Sequence, residues 1–155
     1  MKSASFMTRD KLPSQKSILI VDDEFDIVTL IKQSLQDYGF STMAFTDPLL
    51  ALEHFKKESE DFAMVISDIR MPSMNGYELI RTIKGMHPKI KTILISAFQI
   101  NKDEFSKLMP SVKIDGFIAK PISLKHLADI IENILNPDRN KKKNEKIIRK
   151  DHISY

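Results

Sequence analysis

Cysteine is missing from this chain of 155 residues. That excludes a disulfide framework and any thiolate metal site, and it fits a reducing compartment. No apolar run approaches the ~20 residues of a membrane-spanning helix, and Met1 to Lys16 lacks the apolar middle of a signal peptide. A cytoplasmic location is the expectation. The four histidines, His54, His87, His126 and His152, fall at no metal-ligand spacing and read as surface or turn residues. Internal repeats are lacking, and after Asn136 only 19 residues remain, too few for another packed module. A uniformly basic surface is lacking too. Residues 1–16 carry four Lys or Arg against one Asp, and residues 137–155 carry seven against three acids. With a total of +3, the body 17–136 is left at −4, which is not the footprint of a general nucleic-acid binder. A loose basic leader (1–16), one domain (17–136) and a solvated, disordered basic tail (137–155) are the expected organisation.

What is present is a core. The chain is 42% hydrophobic and 29% charged, which suits one globular domain. The eight methionines are scattered and read as core filler. Short apolar runs at Ser17–Val21, Phe40–Phe45, Phe62–Ser67, Thr92–Ile95 and Gly116–Ala119 read as buried strands. Between and after them come segments with helical spacing. Ile27, Val28, Ile31, Leu35 and Tyr38 precede a stop at Gly39. Asp47-Pro48 opens a helix with Leu49, Leu52 and Phe55 inward. Tyr77 to Met86 ends at His87-Pro88, Asn101 to Met109 is short and weakly apolar before Pro110, and Ser123 caps the last helix, to Leu135. Alternating strands and helices over about 120 residues predict an α/β fold, an open doubly wound five-stranded parallel sheet, too short for an eightfold barrel.

In such a sheet, ligands bind beyond the carboxyl ends of the strands. Asp22 and Asp23 follow the first strand, Asp68 the third, Ser96 the fourth and Lys120 the fifth. The topology brings them to one edge. Three carboxylates alone would repel and raise one another's pKa, whereas a divalent cation and the Lys120 ammonium would neutralise them. Oxygen ligands with room for waters favour Mg²⁺.

These residues carry a resemblance. Asp22-Asp23, Asp68 with Met71-Pro72 and Gly76, Ser96-Ala97, and Lys120-Pro121, in that order, resemble the receiver domain of two-component response regulators over about residues 16–136. The resemblance implies a flavodoxin-like sheet with strand order 2-1-3-4-5. It also implies that Asp68 accepts a phosphoryl group from a histidine kinase or phosphotransfer protein. Asp23, Asp68 and the Arg70 backbone carbonyl would bind Mg²⁺ directly, and Asp22 through water. Lys120 would pair with a phosphoryl oxygen, preceding a cis bond to Pro121. Ser96 would be the switch hydroxyl and Phe117 the switch aromatic, acting on a partner face of the fourth helix, fifth strand and fifth helix. Arg70 and Phe98 occupy the positions that tune phosphoryl lifetime, and slow loss of phosphate is expected of this pair.

The expected function is thus a stand-alone receiver, a binding switch that turns over no metabolite and hands its signal to a separate protein. An aspartyl phosphatase or phosphotransferase is disfavoured, because its D-x-D motif would follow the first strand and its cap insertion is missing. A phosphate-independent scaffold, or a nucleic-acid-associated protein acting through the basic tail, are the remaining alternatives.

Overall fold

Five short runs dense in Ile, Val, Leu and Phe set the architecture of the computed structural model, which describes residues 16–97, 103, 106–107, 109–139 and 141–143. They form β1 (Ser17–Val21), β2 (Thr42–Phe45), β3 (Phe62–Asp68), β4 (Lys91–Ser96) and β5 (Gly116–Ala119). Every neighbouring pair is parallel and the order is 2-1-3-4-5, as expected. Parallel strands cannot be joined by hairpins, so long crossovers are required. Helices α1 (Phe25–Asp37), α2 (Pro48–Glu58) and α3 (Gly76–Met86) supply three of them, and α4 (Leu124–Leu135) follows β5. The crossover from β4 to β5 contains the segment Asn101 to Met109, most of which lies outside the described residues; Asp103, Ser106 and Lys107 within it are helical. Phe98 lies outside them as well.

Local chemistry sets the helix ends. Gly39 adopts φ +90° and closes α1, with Phe40 N–H donating to Leu35 O (2.9 Å) and Gly39 N–H to Gln36 O (2.9 Å). That pair of bonds uses carbonyls the helix would otherwise leave open, and only glycine takes the left-handed step cheaply. Asp47, Asn75 and Ser123 accept from Leu49, Glu78 and His126 N–H at the starts of α2, α3 and α4. Some expectations shift. β2 begins at Thr42, two residues later than the apolar run at Phe40. Tyr38 is the cap after α1 and is exposed, as is Leu49. The buried stripe of α2 is Pro48, Ala51, Leu52 and Phe55, and Leu49 lies about 100° away from Pro48 around the helix axis.

Alternation along the strands divides the core into layers. Ile18 and Ile20 of β1, Met64 and Ile66 of β3, and Ile93 and Ile95 of β4 pack under Val28, Ile31 and Leu35 of α1 and Leu127 and Ile131 of α4. On the other face, Leu19, Val21, Phe62 and Val65 meet Leu52 and Phe55 of α2 and Leu79 and Ile83 of α3. Ile69, Ile80, Leu94 and Met109 extend this second layer, with Phe117 packed against them. Both faces of β1, β3 and β4 are therefore covered, and their carboxyl ends are held rigidly at one edge. Among the described residues, no helix is long and apolar enough to cross a membrane. Beyond α4, residues 137–139 are again helical, and Arg139 donates to Glu132 Oε1 at 3.3 Å.

Candidate functional site

The apolar run of β3 ends at Asp68, whose side chain is buried. Its Oδ1 accepts from Ile69 N–H (2.9 Å), which fixes the carboxylate plane, and its Oδ2 is 3.4 Å from Lys120 Nζ. The turn after it returns tightly. Gly76 N–H donates to Ile69 O at 2.8 Å, and a Cβ at Gly76 would collide with the Asp68 carbonyl oxygen. Glycine is required there by close approach of two backbones. Ser73, in the same turn, has φ +70°, and Met74 N–H donates to Pro72 O across it (2.8 Å).

Asp22, at the end of β1, is fully buried, and Asp23 beside it is exposed. Asp22 Oδ1 accepts from Glu24 N–H at 2.9 Å. Its Oδ2 is buried and has no hydrogen-bond partner, although Lys120 Nζ lies 3.2 Å away as an ion pair without hydrogen-bond alignment. Lys120 reaches the cluster from the end of β5. Its own N–H donates to Ser96 O (2.7 Å), and the Lys120–Pro121 bond is cis, as expected. Ser96 is buried at the end of β4. The register pairs Ser96 with Ala119 and Leu94 with Phe117, so Ser96 and Phe117 share one sheet face on adjacent strands.

The charges are unevenly matched. Burial pushes the Asp22 carboxyl above its ordinary value, with the Asp68 charge adding to the rise and Glu24 N–H and Lys120 opposing it. Burial likewise raises Asp68, against the opposing pull of Lys120 and the Ile69 N–H. Burial alone would lower the Lys120 ammonium, but Asp22 and Asp68, then Glu24, override it and raise it. Burial thus disfavours the ionised form of both aspartates, and Lys120 only partly offsets it. The residues present fit a hard divalent ion. Asp22, Asp23 and Asp68 bring one oxygen each within 4.8 Å of the others, and the buried Asp22 Oδ2 accepts no hydrogen bond, with only the Lys120 ion pair to offset it.

A cleft of about 190 Å³ opens over these groups, lined by Asp23, Glu24, Asp68, Arg70, Ser96 and Lys120 among others. Larger clefts of about 370 and 410 Å³ flank Arg139 at the end of α4, without such a convergence of acids. The structure thus brings together Asp22, Asp23, Asp68, Ser96, Lys120 and Arg70; Phe117 stands behind Ser96 in the second layer, and Phe98 lies outside the described residues. Sequence reasoning overlooks Glu24, whose Oε1 is 3.4 Å from Lys120 Nζ. Its adjacency to Asp22-Asp23 is a signal, but it reads equally well as helix-start acidity.

Known proteins resemble this chain. The family model described as "Response regulator receiver domain" matches residues 18–132. The sensor kinase CckA of Brucella abortus is 32% identical over 124 residues, which cover 80% of this chain and 13% of that protein. The chain thus spans a small part of that relative's length. Sporulation initiation phosphotransferase F of Bacillus subtilis is 27% identical over 122 residues, covering 77% of this chain and 94% of that one. Among solved structures, a CheY-like response regulator receiver domain protein from Methanospirillum hungatei aligns with a TM-score of 0.70 and 26% identity, over 83% of this chain and 99% of the other.

Proposed function

The chain belongs to the response regulator receiver family of two-component systems, and on that premise we propose that it is a phosphorylation-dependent switch with Asp68 as phosphoacceptor. The observation that carries this reading is the placement of the Asp68 carboxylate within 3.4 Å of Lys120 Nζ, in a cluster with Asp22 and Asp23.

Ile69 N–H holds one Asp68 oxygen, leaving Oδ2 toward the cleft to attack phosphorus. With a phosphohistidine donor, an Asp68 oxygen forms the new P–O bond as the P–N bond breaks. The electron pair of that bond, with a solvent proton, returns to the imidazole. The product is an acyl phosphate, and its hydrolysis by water yields inorganic phosphate and restores the carboxylate. Asp68 thereby goes from −1 to about −2, and the Lys120 ammonium stands ready to pair with the added charge. Mg²⁺, held by Asp23, Asp68 and the Arg70 carbonyl and by Asp22 through water, would supply electrostatic stabilisation of the transferring group.

Ser96 would turn its hydroxyl to the phosphoryl, and Phe117, on the same sheet face, would repack into the space released. The face around β5 and α4 then changes for a downstream protein. A histidine kinase or phosphotransfer protein is the proposed donor. The protein is proposed to act through that separate partner and to turn over no metabolite. Arg70 lines the cleft, and slow loss of phosphate is proposed from it. A lifetime as short as that of fast chemotaxis-type receivers would end that part.

Intact mass after incubation with acetyl phosphate and Mg²⁺ tests the central claim. One phosphoryl addition, absent without Mg²⁺ and absent in Asp68→Asn, is expected. An addition that persists in Asp68→Asn would move the acceptor elsewhere, and no addition to wild type that binds Mg²⁺ would favour a phosphate-independent scaffold.

A further inference from the structure

Glu24 occupies a place at odds with its residue type. It is the residue preceding α1, where Ser, Thr, Asp or Asn serve best because their short side chains reach the first free N–H groups. Glu24 makes no such bond from its side chain. The carboxylate is directed across the cleft instead, where Oε1 meets Lys120 Nζ at 3.4 Å, the same separation as from Asp68 Oδ2. A poor helix-start residue is thus held in contact with the cation on which the site depends.

The three acids around Lys120 differ in what they can do. Asp22 and Asp68 are buried at strand ends and cannot leave. Glu24 has 62% of its side chain exposed, so it can exchange Lys120 for water at little cost. A single ammonium shared by three carboxylates has less to offer any one of them.

We infer that Glu24 is a positioning residue that holds the Lys120 ammonium in competition with the phosphoryl group and thereby sets how readily Asp68 accepts it. The inference rests on the receiver reading and deepens it. Before transfer, Lys120 is divided among Asp22, Asp68 and Glu24. The extra charge on phosphorylated Asp68 draws the ammonium inward, and Glu24 releases it into solvent. Removing the Glu24 hold leaves Lys120 committed to the Asp22–Asp68 side in advance.

Two substitutions separate this role from a simple negative charge at the cleft mouth. Glu24→Gln removes the charge, whereas Glu24→Asp keeps it and shortens the side chain by one methylene, out of reach of Lys120. The first readout is the ¹H–¹³C NMR shift of the Lys120 ε-methylene without metal or donor, assigned with Lys120→Arg. The second is the affinity for beryllofluoride with Mg²⁺, which mimics a bound phosphoryl group. Both variants are expected to move the ε-methylene signal and to bind beryllofluoride about two- to fivefold more tightly, the size of one exposed ion pair. An unmoved signal in Glu24→Gln overturns the inference. So does Glu24→Asp behaving as wild type while Glu24→Gln binds more tightly, since charge alone would then suffice. Wild type that binds no beryllofluoride sinks the receiver reading and this inference with it. Wild type that binds it, with both variants equal to it, sinks the inference alone.

Discussion

Asp22 and Asp68 are carboxylates whose burial raises their pKa above the ordinary 3.8, so each destabilises the fold when ionised. The sign follows directly: stability falls as pH rises through the interval between 3.8 and the higher folded value, and the cost is absent below that interval. Metal-free Asp68→Asn is therefore expected to be more stable than wild type at neutral pH. The advantage should shrink on acidification and vanish below about pH 3.8. Urea midpoints measured across that range decide it; an advantage that grows with acidity would contradict the assignment. Gly76 makes a second, independent point. Gly76→Ala forces a Cβ against the Asp68 carbonyl, with an expected loss of about 1–3 kcal/mol and slower phosphorylation of the displaced carboxylate. A variant as stable and as reactive as wild type would show that the turn can yield. Residues such as Asp68 and Gly76 were legible in the sequence because turn chemistry and strand ends mark them. Glu24 was not, because its partner Lys120 is 96 positions away and only the folded sheet brings the two together.

Among the elements, the opposite edge of the sheet carries its own electrostatic tie. Asp115, just before β5, accepts from Thr92 N–H at 2.9 Å, and Lys84, Lys91 and Lys113 each approach it at 3.9 Å. Lys84 at the end of α3 is largely buried, and burial lowers its ammonium pKa against the opposing pull of Asp115. One carboxylate thus joins α3, β4 and β5. Asp115→Ala leaves a part-buried N–H unpaired and three cations unmatched, with an expected cost of about 1–3 kcal/mol. Thermal unfolding in low and high salt checks it: added salt should recover part of the loss by screening the lysines. The tie was invisible to periodicity, since Asp115 sits in a loop and its partners come from three segments. Strand and helix identities were legible because apolar spacing reports burial. The inward assignment of Leu49 failed because apolar character alone does not fix its angle around α2, and Ala51, small and easily overlooked, takes the buried place.

For the whole molecule, parallel topology does what no segment can, gathering acids and a lysine from strands far apart in sequence at one edge. If these residues hold Mg²⁺, the ion stabilises the folded state by mass action, by about 2.7 kcal/mol at a hundredfold excess over Kd. Asp23→Asn should abolish most of that gain, and Na⁺ at equal ionic strength should not replace it. An equal gain in the variant would place the ion elsewhere. The alternation of strands and helices was enough to predict a doubly wound sheet, whereas the strand order needed family resemblance, because spacing does not say on which side each new strand is added. One backbone bond has a wider consequence. Lys120 N–H is tied to Ser96 O while the same residue's ammonium sits between Asp22 and Asp68. The acidic cluster and the β4–β5 ladder are therefore joined through one residue, and if the site accepts a phosphoryl group, thermodynamic linkage between the two would act in both directions. A protein that grips β5 more tightly in the phosphorylated form must, by the same factor, tighten the hold of the site on its phosphoryl group. A downstream partner of that kind would also be an effector of the phosphorylation state it reads.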